Sequence, residues 1–211
     1  MATEARKKRA GDRGRVPYRF NAAQVLKMID SGILGEGDDV ELWDGVLYRM
    51  VKKELHNYVV SQTADALRPL TPAGYHVREE KSCKYAERSL PEPDVAVARG
   101  RKDEYLPEPP HLARLALVVE VNYHTDQADY GEKLRRYAEV GIPIYWLIDV
   151  KARIVRVYEQ PRGSGAEARY AACRTYEPGA IIAVVIDGRP VGHVAVADLL
   201  PPERHPKDGG D

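Results

Sequence analysis

Two apolar runs constrain this chain more than any other feature. "PDVAVAR" at 93–99 and "RLALVVEV" at 114–121 read as buried strands, yet the first opens on Asp94 and the second carries Glu120 near its end. A carboxylate buried alone costs several kcal/mol, so each acid needs a partner, a proton or a metal ion. Consecutive strands often pair antiparallel. The start of the first run then lies beside the end of the second, and both carboxylates meet at one end of a sheet. Alternation puts Glu120 on the face of Val118 and Asn122, opposite Val119 and Val121.

The flanking segments supply a fold around that end. Asn21 is placed to cap a helix through "AAQVLKMIDSG" that Gly32 stops, and "DVELWDGVLYRM" reads as two strands about the Asp44-Gly45 turn. "ELHNYVVSQTADALRPL" spaces Leu55, Tyr58, Val59, Ala66, Leu67 and Leu70 as one helical face that Pro69 and Pro72 end. "YHVREEKSCKY" is a more polar strand, and "QADYGEKLRRYAEVG" is a helix with Tyr130, Leu134, Tyr137 and Ala138 as its stripe. "IPIYWLIDV" follows as a buried strand with Tyr145 and Trp146 in the core. "RIVRVYEQP", "ARYAACRTY" and "AIIAVVI" add further strands, and "VAVADLL" closes the fold. From 54 to 149 the order is helix, strand, strand, strand, helix, strand, which predicts an α/β fold with a mixed sheet.

The 211 residues suit one domain over 18–200, with its core at 54–149, a basic flexible arm at 1–17 and a disordered tail at 201–211. The 32 basic and 32 acidic residues cancel, so attraction to a polyanion must come from local patches such as that arm. Cys83 and Cys173 show neither zinc nor disulfide-framework spacing, and reduced thiols in a cytoplasmic protein are expected. No run of about 18 apolar residues suggests a membrane partner.

Two converging carboxylates without an adjacent arginine can share a proton, flank a sugar or hold a hard divalent cation. Mg²⁺ needs only one or two carboxylates and keeps several waters, whereas zinc prefers His or Cys. The pattern favours Mg²⁺, with Mn²⁺ as a substitute.

The run "PEPDVAV", then "VVEV", then "DYGEKLRRYAEVGIPIYWLID", with "VELWDGVLYRM" and a histidine upstream, resembles the bacterial restriction endonuclease family of the Uma-two type. That family belongs to the PD-(D/E)XK nuclease superfamily, and the likeness covers roughly residues 18 to 200. The resemblance implies a restriction endonuclease-like αβββαβ core and metal-dependent endonucleolytic hydrolysis of DNA phosphodiesters. It assigns Asp94 to the "PD", Glu120 to the "(D/E)", and both to the metal. The superfamily's strand lysine is replaced here by Asn122, and the family's helix lysine is matched by Lys133 within "D-x-x-x-K", with Asp129 able to orient the ammonium. Glu41 and His56 match further family positions, as an added acid and a phosphate contact. His124 stands near Glu120 as a candidate general base, although "NYHT" departs from the small, serine-containing segment usual there. Lys52, Lys53, Lys81, Lys84, Arg99, Arg101 and Lys102 are candidates to line a DNA path.

A homodimer is expected, because cutting both strands of a duplex favours two-fold symmetry. Two other readings stay open at this level. One is a weak or inactive DNA-binding module that keeps the nuclease fold, supported by Asn122 and the neutral charge. The other is an acid-dyad hydrolase of a non-nucleic substrate, which leaves Lys133 without a task.

Overall fold

Asn21 starts the first ordered helix as its sequence suggests. Its side chain accepts from Gln24 N while the Gln24 side chain accepts from Asn21 N, a reciprocal cap on α1 (Ala22–Asp30). The computed structural model describes residues 16–35, 37–50, 52–123 and 127–203, and of 127–130 the backbone alone. Most of the basic arm, His124, the Asp129 side chain and the residues from 204 onward lie outside that range.

The strands β1 (Val40–Trp43) and β2 (Val46–Arg49) form an antiparallel hairpin. Asp44 and Gly45 both have positive φ, 47° and 83°, as the tight hairpin turn requires. Gly45 has a second reason: a Cβ there would meet Arg19 Cβ at 2.6 Å. The turn is tied down by Phe20 N to Gly45 O and Gly45 N to Arg88 O hydrogen bonds of 3.0 and 2.7 Å. Alternation then sends Leu42 and Leu47 into a small core with Val25 and Leu90, and leaves Glu41, Trp43 and Tyr48 on the other face.

Next come α2 (Glu54–Leu67), β3 (Tyr75–Glu79), β4 (Val95–Arg99), β5 (Leu115–Asn122), α3 (Gln127–Val140) and β6 (Ile144–Asp149), the expected αβββαβ order. β7 (Ile154–Arg162) and β8 (Arg169–Tyr176) extend the sheet to the strand order β3-β4-β5-β6-β7-β8. Only the β5–β6 pair is parallel, with α3 as its crossover, and the other pairs are antiparallel. Residues 115–121 of β5 are all buried, as expected of a strand covered on both faces.

Helix α2 covers one face of the sheet over Val95, Val97, Val119 and Val121, while α3 covers the other over Ala96, Ala98 and Val118. Each valine buried in this way contributes roughly 1.5–3 kcal/mol. Trp146 and Tyr145 point to opposite cores, as two consecutive strand residues must.

Two expectations are corrected. The buried stripe of α2 is Val59, Val60, Thr63, Ala64 and Leu67, whereas Tyr58 is exposed. Thr63 can face the core because its hydroxyl donates to Val59 O at 2.7 Å, a local bond that polarity alone does not reveal. Helix α3 buries Lys133 and Arg136 beside Tyr137 and Ala138. "AIIAVVI" is a strand as its pattern suggests, and it stands outside the main sheet. It forms β9 (Ile181–Ile186), which pairs only with β10 (Arg189–Ala195) about the Asp187-Gly188 turn and packs Ile182, Val184 and Ile186 on the α2 side. The closing "VAVADLL" divides into the end of β10 and a short helix α4 (Val196–Leu199).

Candidate active site

The β4–β5 register pairs Val95 with Val119, so the next positions outward, Asp94 and Glu120, face each other across the two strands. Asp94 is buried just ahead of β4. Its Oδ2 accepts a 2.6 Å hydrogen bond from Val121 N, and its Oδ1 lies 3.2 Å from Nε2 of His56, two residues into α2. The meander therefore delivers the convergence of acids that the two apolar runs imply.

Glu120 turns toward α3. Its Oε2 is 3.3 Å from the Lys133 ammonium, and its Oε1 accepts a 2.6 Å bond from the Tyr137 hydroxyl. Lys133 and Tyr137 are one helical turn apart and so reach the same carboxylate. The β1–β2 hairpin brings Glu41 to the opposite side of Lys133, also at 3.3 Å, and its other oxygen accepts from Glu92 N at 2.9 Å. All three charged groups are almost fully buried, with exposures of 2% for Glu41, 3% for Glu120 and 8% for Lys133.

Burial, the largest influence on Glu120, pushes its carboxyl up to about 8 against the opposing pull of Lys133. Burial alone would lower the Lys133 pKa. The fields of Glu120, Glu41 and Asp94 outweigh it and hold the ammonium charged above its ordinary range. Direct contact with two carboxylates keeps Lys133 in its charged form.

A second group of side chains gathers on the α2 side. His56, Glu80 and Asp94 each present a ligand atom within 4.8 Å of the others. Glu80 follows β3 with a left-handed φ of 45°, and its N–H donates to Asp94 O at 3.0 Å. Lys52 braces this side, 3.3 Å from Glu80, 3.0 Å from Glu92 and 3.4 Å from Asp39. Burial lowers the His56 pKa, but the hydrogen bond and charge of Asp94 with the charge of Glu80 bring the net shift upward.

Two features fit this cluster to a divalent cation. His56 Nδ1 is buried without a hydrogen-bond partner and faces Glu80 Oε1 at 3.9 Å, an oxygen engaged otherwise by the Lys52 ammonium. One imidazole with two carboxylates is also a donor set that suits first-row divalent ions such as Mn²⁺ better than Mg²⁺, which prefers oxygen alone. Glu120 is not among the three.

The structure thus brings Asp94, Glu120, Lys133, Glu41 and His56 together. Asn122 ends β5 half-buried with its Oδ1 unpartnered, and Lys133 reaches the carboxylate of Glu120 from the following helix. Lys133 contacts Glu41 and Glu120, while His124 and the side chain of Asp129 lie outside the described residues. Sequence reasoning missed Glu80, although the signal existed: β3 is antiparallel to β4 with Glu79 opposite Val95, so the next residue comes beside Asp94. Several of the basic residues proposed for a DNA path are engaged by acids, Lys52 as above, Lys84 with Glu108, Arg99 with Asp187 and Arg101 with Asp103.

Residues 22–186 match the model of the family Uma2, described as "Putative restriction endonuclease". Among solved structures, the chain is similar to one described as a "putative nuclease belonging to DUF820" from Anabaena variabilis. The TM-score is 0.63 at 16% identity, over 85% of this chain and 97% of that one. At that identity the likeness shows a shared fold. A comparison with curated proteins found no match.

Proposed function

The chain belongs to the Uma2 family, described as "Putative restriction endonuclease", and from that premise we propose that it is a divalent-metal-dependent endonuclease hydrolysing DNA phosphodiesters. The observation that carries this reading is the His56–Glu80–Asp94 donor cluster. It shares the end of the sheet with the buried Glu41–Lys133–Glu120 group.

His56, Glu80 and Asp94 would hold the ion. When bound, a divalent ion there supplies Lewis acidity toward the phosphate and acidifies a bound water. The remaining chemistry belongs to the chain. Lys133, kept charged by two carboxylates, presents Nζ to the negative charge that develops on the phosphate oxygens. Tyr137 fixes the orientation of Glu120, and Glu41 holds Lys133 from its other side, so the ammonium is positioned before substrate arrives. Val121 N holds Asp94 in one rotamer for the same reason. Two copies related by a two-fold axis would address both strands of a duplex.

Nicking of supercoiled plasmid tests the proposal. Cleavage is expected with Mn²⁺ or Mg²⁺, with none in EDTA. Cleavage that persists in EDTA, or is unaffected by Asp94→Ala, overturns it. A gel shift with no cleavage under any metal supports instead a binding module that retains the nuclease fold.

A further inference from the structure

A cavity of about 270 Å³ adjoins this site on the α3 side, with Glu41 and Lys133 in its wall. Its other walls come from the β1–β2 hairpin and α3. Trp43 and Tyr48 lie on the same hairpin face as Glu41, Tyr48 directly across the strand pair from it. Arg136 reaches in from α3, its guanidinium 4.8 Å from the centroid of the Trp43 ring and 2.6 Å from Glu132. Asp44 lies at the rim, hydrogen-bonded to Arg136.

We propose that this cavity receives an unpaired nucleobase of the DNA strand whose backbone crosses the neighbouring metal cluster. The inference rests on the nuclease reading and names how that site would engage its substrate. Three observations carry it. The volume is near the ~300 Å³ lower end of small-molecule sites, which suits one ring system rather than a duplex. Tyr48 is 51% exposed on a strand where its neighbour Leu47 is packed inward, and its ring has no partner among the described residues, so it is available to stack. Base–aromatic stacking tolerates every base because every base has a π-face.

The balance of charge in the walls favours a neutral occupant over a phosphate. Glu41, Asp44 and Glu132 balance Arg49, Lys133 and Arg136, and the cations Lys133 and Arg136 already face carboxylates. Glu132 Oε2, the oxygen that Arg136 does not engage, instead offers an acceptor beside the cavity, which suits the exocyclic amino groups of cytosine and adenine. Sharing Glu41 and Lys133 places a base seated here beside the ion-pair group, at the end of the sheet that also carries the metal cluster. A site of this kind acts on single-stranded DNA or on a nucleotide turned out of the duplex.

Fluorescence anisotropy in EDTA, where no cleavage is expected, tests the cavity separately from the chemistry. The probes are a short fluorescein-labelled oligo-deoxycytidine and a wholly abasic strand of the same length. The full chain should bind the base-bearing strand more tightly. Tyr48→Ala should weaken that binding about 5- to 150-fold and leave the abasic strand unchanged, while Tyr48→Phe keeps the ring and the affinity. Equal affinity for the two strands, no effect of Tyr48→Ala, or no binding of either strand overturns the proposal. Plasmid nicking by the same preparations separates the two failures. Base-dependent binding without nicking removes the nuclease reading alone, and nicking without base dependence removes the cavity's role alone.

Discussion

The carboxylate of Asp94 accepts a 2.6 Å hydrogen bond from the backbone N–H of Val121. The acid ahead of β4 is thereby fastened to the residue after Glu120, and its second oxygen is left for His56. A charge-assisted bond of this kind contributes about 1.5–3 kcal/mol, so Asp94 serves both the sheet and the metal cluster.

The two duties of Asp94 separate in its variants. Asp94→Asn keeps an oxygen for Val121 N but gives up the charge. It should melt within about 1 kcal/mol of the parent yet lose at least ~10-fold in Mn²⁺ affinity by calorimetry. Asp94→Ala should lose both, with plasmid nicking reduced by ~100-fold or more. Undiminished Mn²⁺ uptake by both variants would remove Asp94 from the metal cluster.

Lys133 neutralises two buried acids, so removing it alone leaves charge without compensation. Lys133→Met should destabilise by about 3–5 kcal/mol in urea unfolding. Adding Glu120→Gln to that variant should recover part of the loss, because one of the stranded charges is then gone. Nicking should remain absent in both proteins. Recovery of stability without activity is the pattern of a residue needed for chemistry as well as folding, and recovery of both would reduce Lys133 to a structural ion pair.

The sheet end was legible because a single rule, antiparallel pairing of consecutive strands, carries Asp94 to Glu120 and needs no side-chain detail. The same rule, applied once more to β3 and β4, would have found Glu80. What strand patterns cannot show is the reach of long side chains. Lys133 and Arg136 occupy the inward face of α3, where periodicity expects hydrocarbon, because acids on β5 and the hairpin compensate their charge. The separate β9–β10 hairpin was illegible for a related reason. Its alternation marks a strand with one buried face, but does not say which sheet covers it.

Two buried tyrosines predict opposite outcomes for the same substitution. The Tyr137 hydroxyl donates to Glu120 at 2.6 Å, and Tyr137→Phe should cost about 1–3 kcal/mol by leaving that oxygen unpaired. The Tyr145 ring packs against those of Tyr158 and Tyr170, and its hydroxyl is buried with no hydrogen-bond partner. Tyr145→Phe should therefore be neutral or stabilising by up to about 1 kcal/mol. Thermal denaturation of the two single variants checks the contrast, and equal destabilisation would contradict the assigned hydroxyl environments.

A pH dependence of stability is written into His76 on β3. Its Nδ1 lies 2.8 Å from Gly100 O, an acceptor, so Nδ1 carries the proton and Nε2 is the site left to titrate. Nε2 is buried without a partner, and the groups around the ring are Arg78, Lys102, Glu104 and Tyr105. Burial first, then the charges of Arg78 and Lys102, lowers the His76 pKa below its ordinary 6.5, against the opposing effect of the Gly100 carbonyl. Between the folded and unfolded pKa values the unfolded chain binds more protons, so unfolding free energy rises with pH there. The contribution is present above 6.5 and is lost as pH falls through the folded pKa. His76→Gln, which can still donate to Gly100 O, should show a flatter slope in metal-free urea titrations between mildly alkaline and mildly acidic pH. The difference is bounded by one proton, ~1.4 kcal/mol per pH unit. All other titrating groups are common to both proteins and drop out of the comparison, so parallel slopes would mean that His76 takes up its proton as readily folded as unfolded.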